Sequence, residues 1–379
     1  MFGRGSSVID RWLTTRDRLL TSPTFQRWAS SVPGLRWITR RRARAVFDVV
    51  AGFVYSQVLQ ACVKLDVFEQ VAAHPLSVNT LAERVNLTPE ACETLVAAAV
   101  SLRLLERRRG GLIGLGALGA PLVGNAGLRN LILHHTLFYA DLTDPVALLR
   151  GQISPTQMSG YWPYANTDSP AAAATTGSEQ AGTYSALMTS TQTLIANEVL
   201  AAYRFGPHQR LLDVGGGEGE FIATVGARYP ELQLMLFDLP PVAARAQDRL
   251  NERGLGARSR TASGDFFNDP LPHGADIVTL VRVMHDHDDA RISGLLRNIA
   301  AALPVGGTLL VAEPMADTPG AEPVGDAYFG LYFLAMGRGK ARTFQQMSAL
   351  LSGAGFSVIR QLPTRMPLQT GVVIAKKLS

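Results

Sequence analysis

The hydrophobic pattern changes character along the chain. Over the first 45 residues Leu13, Leu19, Leu20 and Phe25 and the tryptophans Trp12, Trp28 and Trp37 are interleaved with arginines, in the manner of an amphipathic helical arm. From about Val46 to Arg150 the pattern stays helical, and residues 76–122 read more specifically as short helix, turn, helix and two-stranded wing. Thr88 is a good N-cap ahead of Pro89. Leu95, Ala98, Ala99 and Leu102 recur on one face, and residues 107–111 mark the tip between the wing strands. Residues 161–182 (YWPYANTDSPAAAATTGSEQAG) lose the periodicity and read as a hinge region. Beyond them short apolar runs at 211–214, 232–237, 275–283 and 308–312, with a further strand position at 260–262, alternate with helical patterns such as 242–253 and 289–303. That alternation predicts an α/β fold, a doubly wound Rossmann-like parallel sheet, behind a mainly helical winged-helix domain. The predicted divisions are a basic extension (1–45), the helical winged-helix-like domain (46–160), the hinge region (161–182) and the α/β domain (183–379).

Composition adds bounds. With 379 residues, 47% hydrophobic and 18% charged, the chain fits two ordinary soluble domains. The longest apolar run, 49–63, falls short of the roughly 20 residues that span a bilayer, so no transmembrane helix is expected. Cys62 and Cys92 lie in apolar helical surroundings without a C-x-x-C, which excludes a disulfide framework or zinc finger and fits a reducing cytoplasm. The net charge of +5 is concentrated: residues 1–45 hold ten arginines against Asp10 and Asp17. This arm has three readings: a membrane-surface segment, a solvated helical extension, or an organellar targeting peptide. The would-be recognition helix at 89–102 carries Glu90 and Glu93 and no Lys or Arg, so it would repel DNA. A winged helix used for dimerisation and substrate covering is the better reading, with no nucleic acid as partner.

The candidate chemistry starts from MHDHDDA, residues 284–290, which suits either a metal site or proton transfer. The metal reading lacks partners. No histidine follows His287, Ala290 fills the place of a third ligand, and the other five histidines show no ligand spacing, so no metal is expected. Upstream, the first strand of the α/β domain runs into DVGGGEGEF, residues 213–221. This is not the G-x-G-x-x-G of dinucleotide enzymes, and Glu218 and Glu220 would form an acidic rim suited to a cationic ligand. Asp213, Asp238 and Asp265 fall at three successive strand ends, where ligands of such sheets sit. A methyltransferase, a nicotinamide dehydrogenase and a winged-helix regulator are the competing functions, and these features favour the first.

In that order, these residues resemble the class I S-adenosylmethionine-dependent methyltransferases, and specifically the plant-type O-methyltransferase family, over nearly the whole chain. The resemblance implies that Gly215 and Gly217 accommodate the methionine portion, Asp238 with Leu239 the ribose, and Asp265 with Phe266 the adenine. Asp213 is either a further contact or a structural part of the turn. It also implies that His285 is the general base of a His-Asp-Trp-x-Asp motif in which His287 replaces the tryptophan, with Glu313 of LVAEP holding the histidine. A second glutamate usual in the family is missing, because GKART has Ala341 there, with Arg342 as its only candidate replacement. His287, Asp286, Asp288 and Asp289 read as helix caps and dipole partners. The segment RRRARAVFDVVAGFVYSQVLQACVKLDVFE resembles the carotenoid hydroxyl methyltransferases of phototrophic bacteria. That implies a homodimer methylating a tertiary alcohol on an acyclic carotenoid such as demethylspheroidene, in the cytoplasm or peripherally on the inner face of a membrane. Met188, Tyr332, Phe333 and Met336, in stretches rich in aromatic and aliphatic residues, are either substrate contacts or core.

Overall fold

The computed structural model describes residues 5–161 and 179–378, with side chains described for 8–160 and 191–378. The chain forms two compact units, Met1–Gly124 and Asn125–Ser379.

The first unit opens with helices α1 (Gly5–Thr21), α2 (Pro23–Ser31) and α3 (Pro33–Lys64). The breaks fall where Pro23 and Pro33 occupy a first helical turn, the position that tolerates a missing N–H. No break falls at residue 45, since arginine is a good helix former and α3 runs straight through the expected boundary. At 32 residues α3 is also long and apolar enough, by length and composition alone, to cross a membrane, although its C-terminal end buries Gln60, Cys62 and Val63 in this unit. Then come α4 (Val67–Ala72), α5 (Val78–Arg84) and α6 (Pro89–Ser101), followed by an antiparallel hairpin, β1 (Leu105–Arg107) with β2 (Ile113–Leu115). The Thr88 hydroxyl caps α6 by accepting from Ala91 N–H. Phe68, Leu81, Val96, Leu105 and Ile113 are each buried in this unit, where α6 packs on α5 and β1 and α4 packs on β2.

The second unit starts earlier than the sequence suggested. Helix α7 (Ala126–Asp141) packs on α10 (Glu179–Ala202), and its Phe138 is buried with Tyr332, Phe333 and Met336, so its core lies in this unit. Short helices α8 (Pro145–Leu149) and α9 (Gln157–Tyr161) follow, and most of the expected hinge lies outside the described residues. The sheet comprises β3 (Arg210–Val214), β4 (Gln233–Asp238), β5 (Ser259–Ser263), β6 (Ile277–Val281), β7 (Thr308–Glu313), β8 (Phe356–Leu362) and β9 (Gly371–Lys377), in the order β5-β4-β3-β6-β7-β9-β8. β3 to β7 are parallel; β9 pairs antiparallel with both β7 and β8.

Successive residues of the central strands face opposite layers. Leu211, Ile277 and Leu310 pack with Phe221, Ile222 and Val225 of α11 (Glu220–Arg228), whereas Leu212, Val278 and Leu309 pack with Ile292, Leu295 and Ile299 of α13 (Asp289–Ala302). Helix α12 (Pro240–Glu252) covers β4 and β5. Helices α14 (Phe329–Met336) and α15 (Phe344–Gly353) follow β7. Strand order reverses between β3 and β6, which places the switch-point crevice at their carboxyl ends.

Candidate active site

At that crevice one carboxylate organises the backbone. Asp238 Oδ2 accepts from Gly217 N–H at 2.8 Å and Oδ1 from Leu239 N–H at 2.7 Å, tying the glycine turn after β3 to the end of β4. Burial raises the Asp238 pKa, and the hydrogen bonds from Leu239 and Gly217 oppose the rise. Gly217 has φ +58°, and a Cβ there would meet nothing within 4 Å, so the outer face of the turn is open to a ligand. Val283 and Phe266 lie against Gly215. Gly215, Gly217, Asp238, Leu239 and Phe266 are thus brought together. Asp265 is half-buried and tied into its own turn, accepting from Phe267 N–H and Asn268 Nδ2.

Two expectations need correction. Asp213 does not reach the crevice, because it is 0% exposed, with Oδ1 accepting from Thr279 Oγ1 of the neighbouring β6 and burial raising its pKa to about 7. Its place is structural. The acidic rim is absent as well: Glu218 pairs with Arg245 and Arg249, and Glu220 with Arg253.

The histidine loop is built around Glu313 at the end of β7. Arg282 leaves β6 in the left-handed conformation (φ +59°), which turns the next two N–H groups, of Val283 and Met284, onto Glu313 Oε1 at 2.9 and 2.7 Å. Glu313 Oε2 hydrogen-bonds His285 Nδ1. A donor Nδ1–H fixes the tautomer and leaves Nε2 for chemistry. Asp286 Oδ1 lies 3.1 Å from Nε2. Burial alone would lower the His285 pKa, but the charges of Asp286 and Glu313 override it and raise it to about 10.

Arg342 does not touch the imidazole. It is 2% exposed and holds the loop's backbone, donating from Nη1 to Met284 O at 2.6 Å and from Nη2 to His287 O at 2.7 Å, while Nε bonds Asp289. Lys340 N–H donates to His285 O, and a Cβ on Gly339 would collide with that same carbonyl. Asp288 is the N-cap of α13, Asp289 pairs with Lys340 and Arg342, and Asp286 caps nothing. His287, its pKa lowered to about 4 by burial, is a neutral aromatic packed on Phe267 and Phe266.

Of the substrate candidates, Phe333 stands beside the histidine, with ring centroids 5.1 Å apart, and stacks on Phe329. Tyr332 and Met336 are buried in the cluster with Phe138 and Met158, and the Met188 side chain lies outside the described residues. Sequence reasoning missed His134 and His135, whose Nε2 atoms hydrogen-bond Tyr332 and Tyr328 at 2.8 Å. Burial lowers both pKa values, His134 to about 4, so both rings are neutral. The available signal was the four-residue spacing of Tyr328 and Tyr332, which puts them on one helical face opposite adjacent histidines.

Residues 139–357 match the O-methyltransferase domain family, and residues 47–122 the O-methyltransferase dimerisation domain. The chain belongs to the O-methyltransferase family. Demethylspheroidene O-methyltransferases of Cereibacter sphaeroides and Rhodobacter capsulatus are 42% and 39% identical, over 96% and 91% of this chain and 94% and 85% of theirs. The crystal structure of human N-acetylserotonin methyltransferase in complex with SAM aligns with a TM-score of 0.72 at 26% identity, covering 89% of this chain and 98% of that one.

This methyltransferase therefore uses S-adenosylmethionine, and the crevice fits it. The open outer face at Gly217 admits a ligand against the backbone, and each Asp238 oxygen, bonded once, keeps a lone pair for a diol. Asp238→Ala is expected to weaken S-adenosylmethionine binding by about 1.5–3 kcal/mol, because it removes that acceptor and leaves two N–H groups unpaired. Titration calorimetry giving wild-type affinity would contradict this.

Proposed function

We propose that this methyltransferase transfers a methyl group from S-adenosylmethionine to the hydroxyl of an acyclic carotenoid, a tertiary alcohol of the demethylspheroidene type, in carotenoid biosynthesis. The observation that carries the reading is the 42% identity, sustained over 96% of the chain, to a demethylspheroidene O-methyltransferase. The aromatic group of Phe329, Tyr328 and Tyr332, joined to His285 through Phe333, supports it, since a long apolar substrate needs an apolar wall beside the base.

Bound S-adenosylmethionine supplies a methyl group already activated on a sulfonium. His285 Nε2 takes the hydroxyl proton as the new C–O bond forms and the methyl carbon's bond to sulfur breaks, its electron pair leaving on the sulfur, because a tertiary alcohol is too weak an acid to ionise beforehand. Glu313 holds Nδ1–H and stabilises the imidazolium that results, in the orienting role a carboxylate plays beside a catalytic histidine. Asp238 and Leu239 hold the ribose, Gly215 and Gly217 the methionine portion, and Asp265 and Phe266 the adenine. Alignment of the hydroxyl supplies several kcal/mol, on the order of the 7–11 kcal/mol available from near-attack positioning. Comparing kcat/KM for acyclic tertiary-hydroxy carotenoids with that for flat hydroxyarenes tests the substrate class, and preference for the flat compounds would replace it.

The enzyme works as a homodimer in this reading. A run of exposed apolar side chains on α3 (Val46, Phe47, Val49, Val50, Phe53 and Val54) spans the start of the dimerisation-domain match and supports burial against a second copy. The arginine arm docks the enzyme on the cytoplasmic face of an anionic membrane, where a carotenoid resides. Trp12, Trp28 and Trp37 are exposed among the arginines, and each cation near an anionic surface contributes on the order of 1 kcal/mol. Removing residues 1–32, which spares α3 but takes away five of the ten arginines with Trp12 and Trp28, is expected to weaken sedimentation with anionic liposomes clearly while preserving methylation of detergent-dispersed substrate. Raised salt should weaken binding of the intact chain. Equal liposome binding by the truncated protein would end the docking proposal.

A further inference from the structure

We propose that Asp286 is a positioning residue for methyl transfer, its carboxylate held against the Nε2 side of His285 so that the imidazole stands between two carboxylates. The inference rests on the reading of His285 as the base. Asp286 Oδ1 is 3.1 Å from Nε2 but off the line of a well-aligned hydrogen bond, so the carboxylate acts chiefly as a charge beside the nitrogen. Once Nε2 has released its proton to solvent, a substrate hydroxyl can approach the lone pair from the side the carboxylate does not cover.

The placement is built into the loop. Asp286 and His285 share the single turn Met284–Asp286, whose flanking carbonyls are held by Arg342, and Asp286 is only 18% exposed. The groups around His285 are Glu313 from β7, Phe333 from α14, Asp286 and His287 from its own loop, and the backbone of Lys340, while Arg282 acts on the Asp286 carboxylate. Ala341 brings no charge, and the Arg342 guanidinium is occupied by Met284 O, His287 O and Asp289. Glu313 and Asp286 are therefore the two charges that raise the proton affinity of His285, which strengthens a base facing a weakly acidic alcohol. The accompanying cost is that the unliganded imidazole is protonated at neutral pH, so kcat/KM rises with pH into the alkaline range.

The test is the pH dependence of kcat/KM for the wild type, Asp286→Asn, Asp286→Glu and His285→Ala, together with NMR titration of the His285 ring in the unliganded proteins. Asp286→Asn is expected to move both the acid limb and the ring titration down by about 1–3 pH units, as loss of an opposite charge at this distance should. It should also lower kcat while S-adenosylmethionine affinity stays unchanged, and Asp286→Glu should restore most of the shift. An unshifted limb and ring titration in Asp286→Asn would overturn the proposal, whatever happens to kcat. Full turnover in His285→Ala would instead remove the base assignment, a separate failure, because the ring titration reports on Asp286 regardless of turnover.

Discussion

His285→Ala is expected to lower turnover by about 10²–10⁴-fold, the range associated with a positioned general base, while leaving S-adenosylmethionine affinity within a few-fold of wild type. The separation follows from the geometry. The imidazole is directed at Glu313, Asp286 and Phe333, whereas the glycine turn and Asp238 form their own hydrogen-bonded group at the ends of β3 and β4. Single-turnover rates with bound cofactor, beside calorimetric affinities, distinguish the two effects. Unchanged turnover would take His285 out of the chemistry.

Glu313→Ala is expected to be costlier to the protein as a whole. Val283 N–H, Met284 N–H and His285 Nδ1 all lose their acceptor, in a position where Glu313 is 2% exposed. Breaking a buried charged pair from one side costs about 3–5 kcal/mol, so chemical denaturation should show a clear loss of stability together with loss of turnover. Glu313→Gln separates these outcomes. The amide oxygen can still accept from the two backbone N–H groups, but the amide nitrogen presents a donor to Nδ1, which disturbs the tautomer. Near-native stability with turnover lowered by roughly 10²–10⁴-fold is expected, as for a carboxylate-to-amide change beside a catalytic histidine.

The same pair sets a pH dependence of stability. Because the folded-state pKa of His285 is raised to about 10, its contribution is fully present below the unfolded value near 6.5 and is lost as pH rises through about 10. Wild-type stability should therefore decline across that window. Glu313→Ala should flatten the decline.

The parallel strands were legible because strands buried on both faces read as continuous apolar runs, as 211–214 and 308–312 do. β8 and β9 were not. They join the sheet antiparallel at its edge, so no crossover helix announces them, and β8 is half exposed. Helical periodicity gave α7 but could not say which core it serves, since that depends on Phe138 meeting residues nearly two hundred positions later. The arginine-rich segment differed in composition from 46 onward without differing in helicity, so the boundary at 45 was chemical and not structural.

Within the site, strand-end position correctly brought Asp238 to the glycine turn and wrongly brought Asp213. Both end a strand, and only the packing shows that Asp213 turns onto Thr279 beneath the turn. Glu218 and Glu220 looked free because their arginine partners lie on or beside α12, some thirty residues on. The run of acids after His285 is the plainest case. Asp286, Asp288 and Asp289 are chemically alike in the sequence, yet one faces the histidine, one caps α13 and one pairs with Lys340 and Arg342. Arg342 has its answer in the same place: it secures the loop that carries the base and leaves the position of the missing glutamate uncharged.

The central claim is methyl transfer to a hydroxylated acyclic carotenoid, and mass spectrometry tests it most directly. The purified enzyme is incubated with deuterium-labelled S-adenosylmethionine and a chromatographically resolved extract of hydroxylated acyclic carotenoids, and the products are fragmented to locate the label. The account predicts one labelled methyl per product, as an ether on the tertiary hydroxyl, in the wild type and at a greatly reduced rate in His285→Ala. Label appearing on carbon, or on aromatic hydroxyl compounds in the mixture while the carotenoids stay unmodified, would contradict it.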